Sequence, residues 1–211
     1  MENISKDKPV NSVLYQAVVI GVSAGGLEVL RVLLRLIPAG FGRSVIVVQH
    51  LHPLQDGFFI EALDRVCSLP VREAEEKEPV MPGVVYFAPP NYHLLIEANR
   101  TFALSTDEKV NFSRPSIDVL FESAAEVYGP ELIGIILTGA SGDGAIGARR
   151  IKENGGLVIV QDPATAQYPK MPSAALAETE VDRVLSVIEI GRFLACLERP
   201  ASTRAIAVRK L

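Results

Sequence analysis

The sequence predicts an α/β protein built on a doubly wound, mostly parallel sheet with helices on both faces. Short apolar runs rich in valine and isoleucine, typical of buried parallel strands, alternate with helical patterns of about ten residues. The length of 211 residues fits one large domain. Apolar residues make up 48% of the chain, which is enough for a buried core.

The first half of the chain begins with two strand–helix pairs. Apolar runs at Tyr15 to Ile20 and at Ser44 to Val48 predict strands. After the first run, apolar residues spaced along one face predict a helix that Pro38 ends. A second helix is predicted after the second run, and Asp56 is expected to cap it. An antiparallel hairpin region is then predicted near residues 84–104, from short runs separated by turn residues. These runs are Val84 to Phe87, His93 to Ile96 and Thr101 to Leu104.

The second half alternates helices and strands. The predicted helices are Ser116 to Tyr128, Ala145 to Asn154, Ser173 to Glu178 and Ile188 to Leu197. The predicted strands are Leu132 to Leu137, Leu157 to Val160 and Val184 to Ser186. We expect one domain over residues 15–198, preceded by a polar segment at 1–14 and followed by a disordered tail at 199–211.

Composition excludes several function classes. The net charge of −4 and the absence of a basic run argue against nucleic-acid binding. No apolar run approaches the ~20 residues of a membrane span, and the first residues lack the apolar segment of a signal peptide. Cys67 and Cys196 have no zinc-site or CxxC spacing and are predicted to be buried free thiols. We therefore expect a soluble cytoplasmic protein with no metal site and no membrane insertion.

Three polar residues each follow a predicted strand. Ser23 comes just after the first strand, His50 after the second, and Asp143 lies in the glycine-rich loop after Leu132 to Leu137. Loops at the carboxyl ends of parallel strands meet at one edge of the sheet. A serine, a histidine and an aspartate are the groups that acyl transfer needs: nucleophile, base and orienting carboxylate.

The string GVSAGG (21–26) suits a nucleophile on a tight strand-to-helix turn. Backbone N–H groups at the start of the following helix, that of Ala24 among them, would face a developing oxyanion. The chain order Ser, His, Asp differs from the Ser, Asp/Glu, His order of α/β-hydrolases. This argues against that family but not against the chemistry.

Alternatives remain open at this point. A strand, a glycine-rich turn and a helix also form nucleotide sites, although Ser23 replaces the middle glycine and Gln49-His50 stands where an acidic ribose ligand is expected. Spacing alone does not exclude the rival residues, which are His52 and His93 for the base, Ser141 for the nucleophile and Asp162 for the carboxylate.

The motifs together resemble the chemotaxis protein-glutamate methylesterase (CheB) family. The resemblance runs from Ala17 to Leu197 through six strings in family order: GVSAGG (21–26), VVQH (47–50), APPNYH (88–93), RPSIDVLF (114–121), TGASGDGAIG (138–147) and QDPATAQYPKMPSAA (161–175). It implies a serine hydrolase in which Ser23 is the nucleophile, His50 the base and Asp143 its orienting group. A methylesterase-like catalytic domain is therefore expected over residues 15–198.

The resemblance also implies a substrate and partners. Members of the family hydrolyse glutamate γ-methyl esters on the cytoplasmic helical stalks of methyl-accepting chemotaxis receptors, and many also deamidate receptor glutamines. No cofactor is implied. The family's receiver domain has no counterpart in residues 1–14, so a free-standing catalytic domain or a piece of a larger protein is expected. Without that domain as a cover, the active site is expected to be open at all times unless a separate regulatory protein takes the same role. A catalytically silent receptor-docking protein is the alternative within this resemblance.

Three positions in two motifs depart from the family pattern. Ala24 stands where the family often has threonine, and Ala140-Ser141 replaces Met-Gly in the glycine-rich loop. Where the backbone N–H of Ala140 serves as a second oxyanion donor, the substitution leaves that donor intact. It removes a large side chain near the pocket.

Overall fold

The computed structural model describes residues 15–50 and 58–197. Some sequence predictions lie outside these residues: the polar segment 1–14, the tail 199–211, the Asp56 cap and the rival base His52. Among the helices in the described ranges, none is long and apolar enough to cross a membrane.

Strands and helices alternate through most of the described chain. The strands are β1 (Ala17–Val22), β2 (Ser44–Gln49), β3 (Val71–Glu73), β4 (Val85–Phe87), β5 (His93–Ile96), β6 (Phe102–Ser105), β7 (Leu132–Ile136), β8 (Leu157–Gln161) and β9 (Arg183–Leu185). The helices are α1 (Gly26–Arg35), α2 (Phe58–Asp64), α3 (Ile117–Tyr128), α4 (Ala145–Glu153), α5 (Lys170–Glu178) and α6 (Val187–Ala195).

Seven of the described strands form one sheet in the order β3-β4-β2-β1-β7-β8-β9. Every neighbouring pair in it is parallel. The central strand β1 lies between β2 and β7, with Gly21 opposite Val48 on one side and Ile136 on the other. The chain leaves β1 toward one edge of the sheet and later returns to build the other half from β7. In open α/β sheets, a reversal of strand order of this kind favours a ligand crevice at the carboxyl ends of the strands.

Both faces of the sheet are covered, as the sequence predicts. Alternate residues of β1 point to opposite faces, so that Val19 packs in one core and Ile20 in the other. Buried side chains of α3, α4 and α5 fill the first core, and those of α1, α2 and α6 fill the second. The doubly wound, mostly parallel fold is confirmed.

The antiparallel hairpin is confirmed, but its first predicted segment is not part of it. The hairpin pairs β5 with β6, with His93 opposite Ser105. In contrast, β4 lies in the parallel sheet between β2 and β3, and its three residues are fully buried. A three-residue apolar run does not distinguish a buried parallel strand from a hairpin strand, because it is too short to show a period.

Two further expectations were wrong or incomplete. The edge strand β3 was not predicted, because only Val71 of its three residues is buried and no apolar pattern marks it. The prediction that both thiols are buried fails for Cys196, which is exposed at the end of α6, while Cys67 is half-buried. The Cys67 thiol donates to Leu34 O at 3.6 Å, and burial raises its pKa.

Candidate active site

The three residues predicted for catalysis follow three neighbouring strands. Ser23 follows β1, His50 follows β2, and Asp143 follows β7 in the loop before α4. Backbone hydrogen bonds join these loops: His50 N donates to Val22 O at 3.0 Å, and Ser23 N donates to Thr138 O at 3.0 Å. All three therefore lie at the carboxyl edge of the sheet.

Asp143 is completely buried and is paired with His50. His50 Nε2 lies 2.9 Å from Asp143 Oδ2, and the His50 side chain is 14% exposed. Five groups donate to the carboxylate: His50 Nε2, Ile117 N, Asp118 N, Ser116 Oγ and Asn111 Nδ2. Two of these are backbone N–H groups at the start of α3, where the helix dipole also favours an anion.

These contacts set the protonation of the pair. Burial alone would raise the pKa of Asp143, but the hydrogen bonds from His50 and Ile117 outweigh it, and the pKa lies below its usual value. An ionised carboxylate can only accept hydrogen bonds, so His50 Nε2 carries the proton in this pair. In a neutral imidazole, Nδ1 then holds the free lone pair.

Ser23 and His50 line one cleft. Its volume is about 280 Å³, and its walls are formed by residues 23–28 together with Gln49 and His50. Gly139 packs against the serine so closely that a Cβ at this glycine would lie 2.9 Å from Ser23 Cβ. No hydrogen bond joins Ser23 Oγ to His50 or to any other described residue. Such contacts often tighten only when substrate is bound.

The backbone amides of Ala24 and Ala140 are free to face a ligand. Within the described ranges, neither N–H donates a hydrogen bond. The carbonyl preceding each of them is held in place: Ser23 O accepts from Gly26 N at 3.0 Å, and Gly139 O accepts from Met171 N at 3.0 Å. Because a trans peptide is planar, each N–H points away from its held carbonyl.

The family model for CheB methylesterase matches residues 18–194, almost all of the described chain. The chain belongs to the CheB methylesterase family.

Two relatives of this CheB-family domain differ in length. A protein from Leptospira interrogans with the provisional name protein-glutamate methylesterase/protein-glutamine glutaminase is 52% identical over 185 residues, covering 88% of this chain and 96% of its own. The protein-glutamate methylesterase/protein-glutamine glutaminase of a Nocardioides strain is 41% identical over 180 residues, covering 84% of this chain and 49% of its own. The chain thus spans about half the length of the second relative.

A solved structure shares the fold. The crystal structure of the Thermotoga maritima CheB methylesterase catalytic domain superposes with a TM-score of 0.84 at 37% identity, covering 88% of this chain and 100% of its own.

In this CheB-family domain the rival residues have other contacts. His93 is buried in β5, where its Nε2 contacts Glu108 O at 3.0 Å and its Nδ1 accepts from Ser116 N at 3.2 Å. Ser141 Oγ accepts from Asp143 N at 3.3 Å. Asp162 accepts from Ala164 N at 2.9 Å, which closes the turn after β8. Of the described histidines, only His50 pairs with a carboxylate.

Sequence reasoning missed a second buried carboxylate, Asp118 in the first turn of α3. Asn111 Nδ2 bridges the two carboxylates, donating to Asp118 Oδ2 at 2.8 Å and to Asp143 Oδ1 at 3.2 Å. Gly147 N donates to Asp118 Oδ1 at 2.7 Å. Burial, with the neighbouring Asp143 charge, raises the pKa of Asp118 to about 6. An aspartate inside an amphipathic helix pattern gives no sign of burial, so the sequence held no signal for it.

Gln49 was also missed as a site residue, although it directly precedes His50. It is buried at the end of β2, and its side-chain amide lies between the loops of Ser23 and His50. In the described part of the chain, no group of three or more His, Cys, Asp or Glu side chains is arranged to hold a metal ion.

Proposed function

We propose that this chain hydrolyses glutamate γ-methyl esters of chemotaxis receptors, with Ser23 as nucleophile, His50 as general base and Asp143 as the group that orients the base. The observation that carries the proposal is the 2.9 Å contact between His50 Nε2 and the buried Asp143 carboxylate. This contact leaves His50 Nδ1 free to accept a proton, and His50 lines the same cleft as Ser23.

In the first half of the reaction, Ser23 Oγ attacks the ester carbonyl carbon while His50 Nδ1 takes the hydroxyl proton. Asp143 stabilises the imidazolium that forms. The N–H groups of Ala24 and Ala140 stabilise the oxyanion of the tetrahedral intermediate. His50 then returns the proton to the methoxy oxygen, the C–O bond breaks, and methanol leaves an acyl-enzyme.

In the second half, water replaces methanol. His50 takes a proton from the water as its oxygen attacks the acyl carbon, and the proton then goes to Ser23 Oγ as the acyl bond breaks. The product is a free glutamate. A glutamine side chain would react through the same acyl-enzyme with ammonia as the leaving group, which would make the chain a receptor glutamine deamidase as well. Neither route needs a metal or an organic cofactor.

The substrate side chains would lie on the helical cytoplasmic stalk of a methyl-accepting receptor, so the enzyme would work in the cytoplasm. Family membership supports this class of partner. A nucleotide-binding domain or a silent docking protein is not favoured, because both leave the buried pairing of His50 with Asp143 without a purpose.

The experiment measures methanol release from methylated receptors in membranes. The wild-type chain should release methanol, and Ser23→Ala should lower the rate by several orders of magnitude with an unchanged circular dichroism spectrum. Saturable nucleotide binding by an inactive wild-type chain would support the nucleotide-binding alternative instead. Receptor binding without turnover would support the docking protein.

A further inference from the structure

The Gln49 amide joins the two loops that carry Ser23 and His50. Its Nε2 donates to Ser23 O at 2.9 Å and to His50 O at 2.9 Å. Its Oε1 is buried and has no hydrogen-bond partner among the described residues. Buried polar atoms are normally paired, so a side chain placed for packing alone would avoid this cost.

The first of these bonds acts on the peptide that follows Ser23. Ser23 O accepts from both Gln49 Nε2 and Gly26 N, at 2.9 and 3.0 Å. The peptide between Ser23 and Ala24 is planar and trans, so fixing its carbonyl oxygen also fixes the opposite direction of the Ala24 N–H. Gln49 therefore controls the direction of the Ala24 N–H, which lines the cleft. It does so through its bond to Ser23 O and not through a contact with a ligand.

Gly26 leaves the space that the Gln49 amide occupies. A Cβ at Gly26 would lie 2.2 Å from Gln49 Oε1 and 2.5 Å from Val22 Cγ2. The amide is the end of a flexible side chain, whereas the valine methyl is held in a packed core. A methyl group at Gly26 would therefore displace the amide from its two carbonyl partners, and it would also push the start of α1 away from Val22.

We propose that Gln49 is a positioning residue for acyl transfer: it holds the Ser23–Ala24 peptide so that the Ala24 N–H meets the oxyanion as it forms. This rests on the proposed function. The negative charge on the carbonyl oxygen of the substrate ester is present mainly in the transition state. Loss of Gln49 should therefore lower kcat more than it changes KM.

The test compares Gln49→Met with wild type in the methanol-release assay. Methionine keeps the length and volume of the side chain but removes both donated hydrogen bonds. We expect kcat to fall about 10- to 100-fold and KM to change less than about two-fold. This fall in kcat is smaller than the fall that removal of a whole oxyanion donor causes. Gln16→Met is the matched control, because Gln16 contacts Arg100 and Ser44 at the opposite edge of the sheet and should keep wild-type kcat.

Gly26→Ala provides a second route to the same displacement while keeping the glutamine. It should lower kcat in the same range, but it also presses on Val22 and moves Gly26 N, which itself donates to Ser23 O. Gln49→Leu, which removes the same two donated hydrogen bonds with a smaller side chain, therefore decides the matter if Gln49→Met does not fold. Two results would overturn the role of Gln49. One is a kcat within two-fold of wild type in a folded Gln49→Met variant, and the other is a rise in KM as large as the fall in kcat. An inactive wild type, or a fully active Ser23→Ala, would overturn the proposed function itself, so the two failures are distinguishable.

Discussion

His50 Nε2 lies 2.9 Å from Asp143 Oδ2, and the same carboxylate oxygen accepts from Ile117 N at 2.7 Å. A single oxygen thus receives both the imidazole N–H and a backbone N–H at the start of α3. The orientation of the His50 ring is therefore tied to the position of the start of α3. The Asp143 carboxylate that joins them has no access to solvent.

We predict that Asp143→Asn lowers kcat by about 10³- to 10⁴-fold. If the amide oxygen keeps the donors that contact Asp143 Oδ1, its NH₂ group must face His50 and Ile117 N. His50 Nε2 would then accept a hydrogen bond, and the proton would move to Nδ1, where the base must be free. The measurement is kcat for methanol release. Asp162→Asn is the matched control, because an asparagine oxygen can still close the turn with Ala164 N, and it should retain wild-type kcat.

Stability should depend on pH through Asp118. Its pKa is raised from 3.8 to about 6 in the folded state, so between these values the folded chain holds a proton that the unfolded chain has lost. The free energy of unfolding therefore falls as pH rises through this window and levels off above it. Two pKa units correspond to about 3 kcal/mol as an upper limit.

Asp118→Asn should remove this dependence. Urea unfolding of both proteins at pH 4.5, 5.5, 6.5 and 7.5 measures the dependence. The free energy of unfolding of wild type minus that of the variant should decrease with rising pH. A constant offset is expected from the changed hydrogen bond with Asn111 and does not affect the slope. A difference that is flat across this range, or that grows with pH, would contradict the assigned direction.

The exposed turn that carries Asn111 has an unfavourable residue at its tip. Asn111 and Phe112 both have positive φ, 50° and 62°, and Val110 and Ser113 close the turn by two backbone hydrogen bonds. Phe112 is 98% exposed and sits where this type of turn prefers glycine. Its side chain therefore has little packing to offset its backbone cost.

We predict that Phe112→Gly is more stable than Phe112→Ala by about 1 kcal/mol, because only glycine adopts this conformation without strain. The alanine variant removes the same ring and serves as the matched control. Urea unfolding at pH 7.5 gives both free energies. Equal stability, or a more stable alanine variant, would show that the turn adopts another conformation in solution.

The sequence predicted the placement of the candidate catalytic residues better than the details of the sheet. Ser23, His50 and Asp143 could be placed at one edge because each follows a long buried strand, and parallel strands end together. The residues around them could not be found in this way. Asp118 and Asn111 reach Asp143 from α3 and from a turn before it, through contacts that no sequence period encodes.

The limits on the fold prediction have a similar cause. β3 and β4 have three residues each, too few to show alternation. Their places in the sheet depend on long-range pairing, of β4 with β2 and of β3 with β4. The role of Gln49 was hidden because its two acceptors are backbone carbonyls, which have no sequence signature.

The most direct test of the account is to identify the nucleophile by covalent labelling. A serine-directed fluorophosphonate should react with one residue of the wild-type chain, and peptide mass mapping should place the adduct on Ser23. Methanol release should fall in proportion to labelling, and His50→Ala should react far more slowly. An adduct on Ser141 or another residue, or full labelling of Ser23 with methanol release intact, would contradict the account.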